Sequence, residues 1–190
     1  MTRWEPDARG RLQQAALALY TERGFDQTTV AEIAARAGLT ERTFFRYFAD
    51  KREVLFSGAG ELEKSLVESI AGAKKGAAPL DAVVQAFDAV ARDFEERRDF
   101  AGQRHAIISS NAELQERELI KLASLASAIA EALRRRGVTD PAASVTAEAG
   151  VAVFKIAFAR WIEDKTQANL SRHLKASLGA LKAVAAGKRR

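Results

Sequence analysis

Apolar residues recur along this chain at three- and four-residue steps, interrupted by short polar or glycine-containing segments. The first stripe, Leu12, Ala15, Ala16, Leu19 and Tyr20, predicts a helix capped by Asp7 and closed by Gly24 after Arg23 in its last turn. Phe25 is placed to tuck into the same small core. Thr29 with Glu32 reads as a capping box, which opens a second helix with Val30, Ile33, Ala34 and Ala37 facing inward. Gly38 ends it and Leu39 points back to the core. Thr40 caps a third helix over Glu41 to Tyr47. Asp50 and Glu53 form another box, so a long fourth helix is predicted from Lys51, with Val54, Leu55, Leu62, Leu66 and Ile70 as its stripe.

The segment AKKGAAP (73–79) combines Gly, Pro and a lack of apolar anchors, and predicts a loop. A fifth helix carries Val83, Val84, Phe87, Val90, Ala91 and Phe94 and fades in the charged run 95–99. A shorter sixth covers Phe100 to about Ser110. Asn111 caps a long seventh with Leu114, Leu122, Leu125, Ile129 and Leu133, ending at the exposed arginines 134–136 before Gly137. Asp140 as N-cap and Pro141 at the first helical position restart the chain for an eighth helix over about 141–164. A ninth, over about 167–185, presents Leu170, Leu174, Leu178, Leu181 and Ala185 on one side. With no hairpin signal, repeat or low-complexity tract, the fold class is all-α: about nine helices, a helix-turn-helix domain over 1–52 and a larger helical domain over 53–190.

The composition, 47% hydrophobic and 29% charged over 190 residues, is an ordinary globular balance rich in helix formers. There is no cysteine, hence no disulfide framework or thiolate metal site. The opening MTRWEPDARGRLQQ has no apolar core of signal-peptide type, and no apolar run approaches the roughly 18 residues of a membrane helix. A cytoplasmic location without membrane association is expected. Net charge is +5, but Arg172, Lys175, Lys182, Lys188, Arg189 and Arg190 contribute +6 with no acid among them, which leaves −1 for the rest of the chain. Basicity therefore sits at the C-terminus, and any nucleic-acid binding must rest on placed residues rather than on overall charge.

Two short helices around a glycine turn, about 29–48, have the form of a helix-turn-helix whose second helix enters the DNA major groove. Phe44 and Phe48 anchor that helix on one face. The other shows Thr40, Arg42, Thr43, Phe45, Arg46 and Tyr47, a half-aromatic, basic surface with no structural purpose of its own. Arg42 can reach guanine O6 and N7 through two hydrogen bonds, and Thr43 can bond a base edge or pack on a thymine methyl. Thr28 opens the stretch. Thr29, Thr40, Tyr47 and Lys51 are candidates for phosphate.

The order Gly24-Phe25, then TTVAEIAARAGLTERTFFRYFADKREVL, resembles the N-terminal domain of the TetR (tetracycline-repressor) family of transcription regulators. The match runs over about residues 10–56, through Val30, Ile33-Ala34, Ala37-Gly38, Thr43, Phe44, Tyr47, Phe48, Lys51 and Leu55. The resemblance implies a homodimer on a palindromic double-stranded operator, and a C-terminal domain that binds a small-molecule effector. It also implies that Lys51 touches phosphate at the start of the linking helix. Where Phe45 stands the family often has tyrosine, so Phe45 lacks the hydroxyl that reaches the DNA backbone. Arg104, Ile108, Leu114, Arg117 and Glu118, with Trp161 later, are similar to an actinobacterial subgroup that includes mycofactocin-system regulators.

The eighth helix is nearly all apolar over 150–162, with Lys155 and Arg160 as its charges, so it must be covered on several sides. Ala149, Gly150, Ala152, Ala157 and Ala159 would let another helix approach. A two-fold four-helix interface is expected from helices eight and nine, with Ala152, Ala159, Leu170, Leu174, Leu178 and Leu181 at the seam. An effector site is expected among helices five to eight, with Phe87, Phe94, Arg104, His105, Ile108, Phe154, Phe158 and Trp161 as candidates. The two histidines stand alone in the sequence, and neither HExxH nor a glycine-rich phosphate loop occurs, so no enzyme and no cofactor is expected. A helical adaptor is the alternative to a regulator.

Overall fold

The structure is a computed structural model, described here for residues 7–166 and 168–187. Among these residues all regular structure is helical: α1 Ala8–Arg23, α2 Val30–Arg36, α3 Glu41–Tyr47, α4 Ala59–Gly72, α5 Pro79–Glu95, α6 Arg98–Ser109, α7 Ala112–Arg135, α8 Ala142–Glu163 and α9 Leu170–Ala185. Lys188, Arg189 and Arg190 of the basic terminus lie outside the described residues.

The chain forms two compact units, and their division differs from the expected boundary after residue 52. The first comprises residues Met1–Gly58 and also Gly102–Glu118; the second comprises Ala59–Ala101 and Leu119–Arg190. The reason lies in ion pairs that sequence periodicity does not show. Arg52 pairs with Glu113 at 2.7 Å, Arg117 with Glu53 at 2.6 Å, and Arg104 with Glu118 at 3.2 Å. Segment 102–118 is thus fastened to residues 52–56.

In the first unit α1 packs on α2 and α2 on α3. Leu12, Ala16, Leu19, Ile33, Ala34 and Phe44 are fully or almost fully buried. The predicted fourth helix does not begin at Lys51. The backbone turns there through bonds from Leu55 N to Arg52 O (3.0 Å) and from Phe56 N to Glu53 O (3.2 Å). A positive φ of 98° at Gly58 closes the turn, and α4 starts at Ala59. Asp50 still caps as expected, accepting the amides of Arg52 and Glu53 at 2.8 and 3.1 Å. Val54, Leu55 and Phe56 bury themselves from within the turn.

In the second unit α5 is central and packs on α4, α8 and α9, while α8 also packs on α9. Its inward face is Ala82, Val83, Val84, Ala86, Phe87, Val90 and Ala91. Gly150 sets the α5–α8 spacing: a Cβ there would fall 2.4 Å from Val83 Cγ1. This glycine therefore admits a helix of its own chain, not a partner's. By length and composition α8 could cross a membrane, contrary to the sequence expectation. Its Ala143, Ala147, Val151, Val153, Phe154 and Ala157 are instead buried in the core of this unit, as suits a central helix. The arginines at the end of α7 are also not simply solvated. Arg136 donates to the carbonyls of Ile70 and Ala73, both at 2.8 Å, and so satisfies the C-terminus of α4. Helix α8 begins at Ala142, one residue later than expected, and Asp140 receives the Arg134 guanidinium at 2.7 Å and the Ser144 hydroxyl at 2.9 Å.

Candidate nucleic-acid interface

Both short helices of the first unit start on threonine caps. Thr29 Oγ1 accepts the Glu32 amide at 3.2 Å, and the Glu32 carboxylate accepts the Thr29 amide at 2.9 Å, completing the box. The Thr29 amide, then the Thr29 hydroxyl donating at 2.9 Å, hold the Glu32 carboxyl below its ordinary range, with Arg23 adding to the effect. Thr40 Oγ1 accepts the Thr43 amide at 3.2 Å. Between the helices the turn closes through Leu39 N to Ala34 O at 2.8 Å. Gly38 takes φ 67° there, a left-handed conformation that glycine supplies without strain.

The second helix has two opposed faces. Phe44 is fully buried and lies 5.5 Å from Phe48 between ring centroids. Outward stand Arg42, Phe45, Arg46 and Tyr47, with Phe45 55% and Tyr47 40% exposed. The Phe45 ring meets Phe44 edge-on at 5.5 Å, so the exposed ring is braced by the buried one. Arg46 lies over the Tyr47 ring at 4.9 Å and donates to its hydroxyl at 3.2 Å.

Charge on this unit is mostly neutralised locally. Arg23 pairs with Glu32 and Arg36 with Glu22, each at 2.7 Å, and Arg52 with Asp50 at 2.6 Å. Arg42 and Arg46 carry no ion pair among the described residues, and both point outward from α3. Thr29, Thr40, Arg42, Phe45, Arg46 and Tyr47 are exposed and Thr43 half-buried, all on two adjacent helices.

Two candidates are placed elsewhere. Thr28 is 1% exposed and donates its hydroxyl to Gly24 O at 2.8 Å, so it is a core residue of the α1–α2 connection. Lys51 is turned inward. Its ammonium donates to Phe25 O at 2.9 Å, Thr28 O at 3.0 Å and Asp26 O at 3.4 Å, and lies 4.3 Å from the Phe25 ring centroid.

The expected effector residues divide between the units. Phe87, Phe94, Phe154, Phe158 and Trp161 come together in the second unit as one column. Phe87 stacks on Phe154 at 4.6 Å, and Phe94 bridges Phe154 and Phe158 at 5.7 and 5.9 Å. Trp161 follows at 5.6 Å from Phe158 and is 1% exposed. Arg98, which periodicity did not single out, lies 5.1 Å over the Trp161 ring and donates to Trp161 O and Asp164 O at 2.6 and 2.7 Å. Arg104, His105 and Ile108 belong to the first unit. Arg104 donates to Leu55 O at 2.6 Å and lies over the Phe56 ring at 5.1 Å. Burial pushes its guanidinium pKa down, and Glu118 opposes that shift.

The expected seam also divides. Ala152 is exposed, and Ala159, Leu178 and Leu181 are half-buried. Leu170 and Leu174 are fully buried in the core of their own unit and cannot meet a partner. The one-sided spacing gives the stripe but not which part of it the core of its own unit covers. The outward apolar residues of α8 and α9 are Val145, Ile156 and Val184, 64%, 52% and 74% exposed.

Comparison with known proteins bears on both units. Residues 12–57 match the bacterial regulatory proteins of the tetR family, and residues 77–186, more than half the chain, match the MftR C-terminal domain. The chain belongs to the TetR family of transcription regulators. A curated relative of this TetR-family protein, the HTH-type transcriptional regulator TcmR of Streptomyces glaucescens, is 35% identical over 82 residues, 43% of this chain. The match spans only 36% of the relative's length. Among solved structures, the TetR-family repressor FadR of Thermus thermophilus, in complex with lauroyl-CoA, aligns with TM-score 0.57 and 25% identity over 91% of this chain and 92% of that one. A transcriptional regulator from Pseudomonas aeruginosa PAO1 shares the fold with TM-score 0.67 and 18% identity over 98% and 94% of the two chains.

Proposed function

We propose that this TetR-family regulator is a repressor that binds a palindromic operator as a homodimer and is released by a small lipophilic or aromatic molecule. The outward face of α3 carries the reading: Arg42, exposed and without an ion pair among the described residues, beside the braced rings of Phe45 and Tyr47. Arg42 reads guanine, Thr43 and Phe45 meet base edges or thymine methyls, and Thr29, Thr40, Arg46 and Tyr47 hold phosphate. The test is selection of bound duplexes from a random pool, followed by footprinting of DNA upstream of the protein's own gene. A two-fold symmetric motif is expected; recovery of no motif would end the operator reading.

The homodimer is supported by the outward side of α8, where Val145, Ala149, Ala152, Ile156 and Ala159 follow one another at steps of three and four. The effector class is supported by the aromatic column between α5 and α8 and by the acyl-CoA ligand of the FadR structure. Release then requires reciprocity, in which operator weakens effector binding by the factor with which effector weakens operator binding. A thermal-shift screen of lipophilic compounds, repeated with operator present, reads both halves of that statement.

A further inference from the structure

Lys51 follows the reading helix closely and is a cation, which makes a phosphate contact the obvious assignment. Its surroundings point elsewhere. An ammonium has three donors. Here they meet the carbonyls of Phe25 and Thr28 and, more distantly, that of Asp26. The face of Phe25 supplies a fourth, electrostatic contact at 4.3 Å. Phe25 is itself buried and packed edge-on against Tyr20 at 5.3 Å. The backbone of Lys51 is held as well, since the buried Tyr20 hydroxyl donates to Lys51 O at 2.6 Å. Thr28 completes the knot through its own bonds to Gly24 O and Phe25 O. The residue after Thr28 is Thr29, whose side chain caps α2.

We propose that Lys51 is a positioning residue: it seats the 25–28 connection and thereby sets Thr29 and the N-terminus of α2 against DNA, without binding phosphate itself. This rests on the operator reading above. A cation that neutralises a phosphate releases counterions, and its loss lowers the salt dependence of binding by about 0.9 in log–log slope. A residue that only orients neutral donors changes affinity at every salt concentration by a similar factor and leaves the slope alone.

The experiment measures operator affinity of the full-length protein between 50 and about 300 mM salt, at a temperature where every variant is folded by circular dichroism. Lys51→Met is expected to bind about three- to tenfold more weakly at each salt concentration with the wild-type slope, because about 0.7–1.4 kcal/mol of contact is misplaced. Tyr20→Phe, which changes no charge, is expected to shift affinity in the same direction. Lys51→Arg is expected to behave like Lys51→Met, since a planar fork does not fit a socket of three carbonyls. A slope shallower by about 0.9 per subunit, or about 1.8 for the dimer, in Lys51→Met, or wild-type affinity in Lys51→Arg beside a loss in Lys51→Met, would overturn the assignment in favour of phosphate. Unchanged affinity in Lys51→Met with only a lower Tm would overturn it in favour of a purely structural role. If wild-type protein selects no operator, the operator reading fails by itself. The assignment is then judged on the Thr28 and Thr29 amides: positioning requires faster hydrogen exchange there in Lys51→Met, and unchanged exchange overturns it.

Discussion

Arg42 is where charge and exposure agree. It is a cation on the outward face of α3 with no carboxylate paired to it among the described residues, while Arg23, Arg36 and Arg52 each have one. Arg42→Ala should cost roughly 1–3 kcal/mol per half-site and relax preference at one base pair of each, because a two-bond contact to guanine carries about that much discrimination. Affinities across a panel of single-substitution operators check this; an equal loss on every duplex would remove base reading from Arg42. Its outward placement was legible in the amino-acid order, since a helix with phenylalanines four apart must turn its intervening residues outward. The direction of Lys51 was not legible. Sequence position shows that a lysine follows the third helix, but not that three carbonyls from a connection 23 to 26 residues earlier would be waiting for it.

At the level of helices, what is local was readable and what depends on a neighbour was not. Caps are local: Thr29 with Glu32, Thr40 and Asn111 all bond the amides their spacing implies. Gly58 was readable too, but the box at Asp50 and the stripe through Leu55 concealed the break it makes before α4. The α5–α8 contact shows the other case. Gly150→Ala should cost about 1–3 kcal/mol, the usual penalty for overpacking a tight interface. The added methyl meets a Val83 side chain that is itself fully buried. Chemical denaturation checks it, and an unchanged midpoint would mean that α8 can move away at no cost. The α8–α9 junction predicts a pH dependence. Asp164 is held near pKa 2, against an ordinary 3.8, by the Thr166 hydroxyl and amide and then by His173. Because the folded-state pKa is depressed, its stabilising contribution is complete above about pH 4 and is lost as pH falls towards 2. Thr166→Val should raise that pKa and move the acid limb of the stability profile to higher pH, as read by carboxyl-resolved NMR titration.

For the whole molecule, the all-helical class and the regulator family were recoverable because helical periodicity and the α2–α3 wording are properties of contiguous sequence. The proposed seam between protomers is not such a property. A helix amphipathic enough to bury one face does not announce whether its own chain or a second copy covers it, and Leu170 and Leu174 are buried in the core of their own unit. The two kinds of position should now separate by experiment. Ile156→Asp, at a site 52% exposed, should yield folded monomers in sedimentation at micromolar protein. Leu174→Ala should instead lower stability by about 2–5 kcal/mol through the cavity it leaves, without selectively dissociating a dimer. If Ile156→Asp remained dimeric, the outward face of α8 would not be the seam.

The discontinuity of the first unit matters to anyone who wishes to recombine such proteins. A graft taken as residues 1–58 would carry α3, the proposed reading helix, but leave behind Arg104, Glu113 and Arg117, which fasten the turn after it. Glu53 and the Leu55 carbonyl would lose the guanidinium groups that satisfy them, beside the apolar side chains of Val54 and Phe56. A chimera in which this reading head is wired to a different sensor should therefore import residues 102–118 with it, as a two-segment cassette. Cutting at the apparent domain boundary would transplant the letters of the operator code without the hand that holds the page.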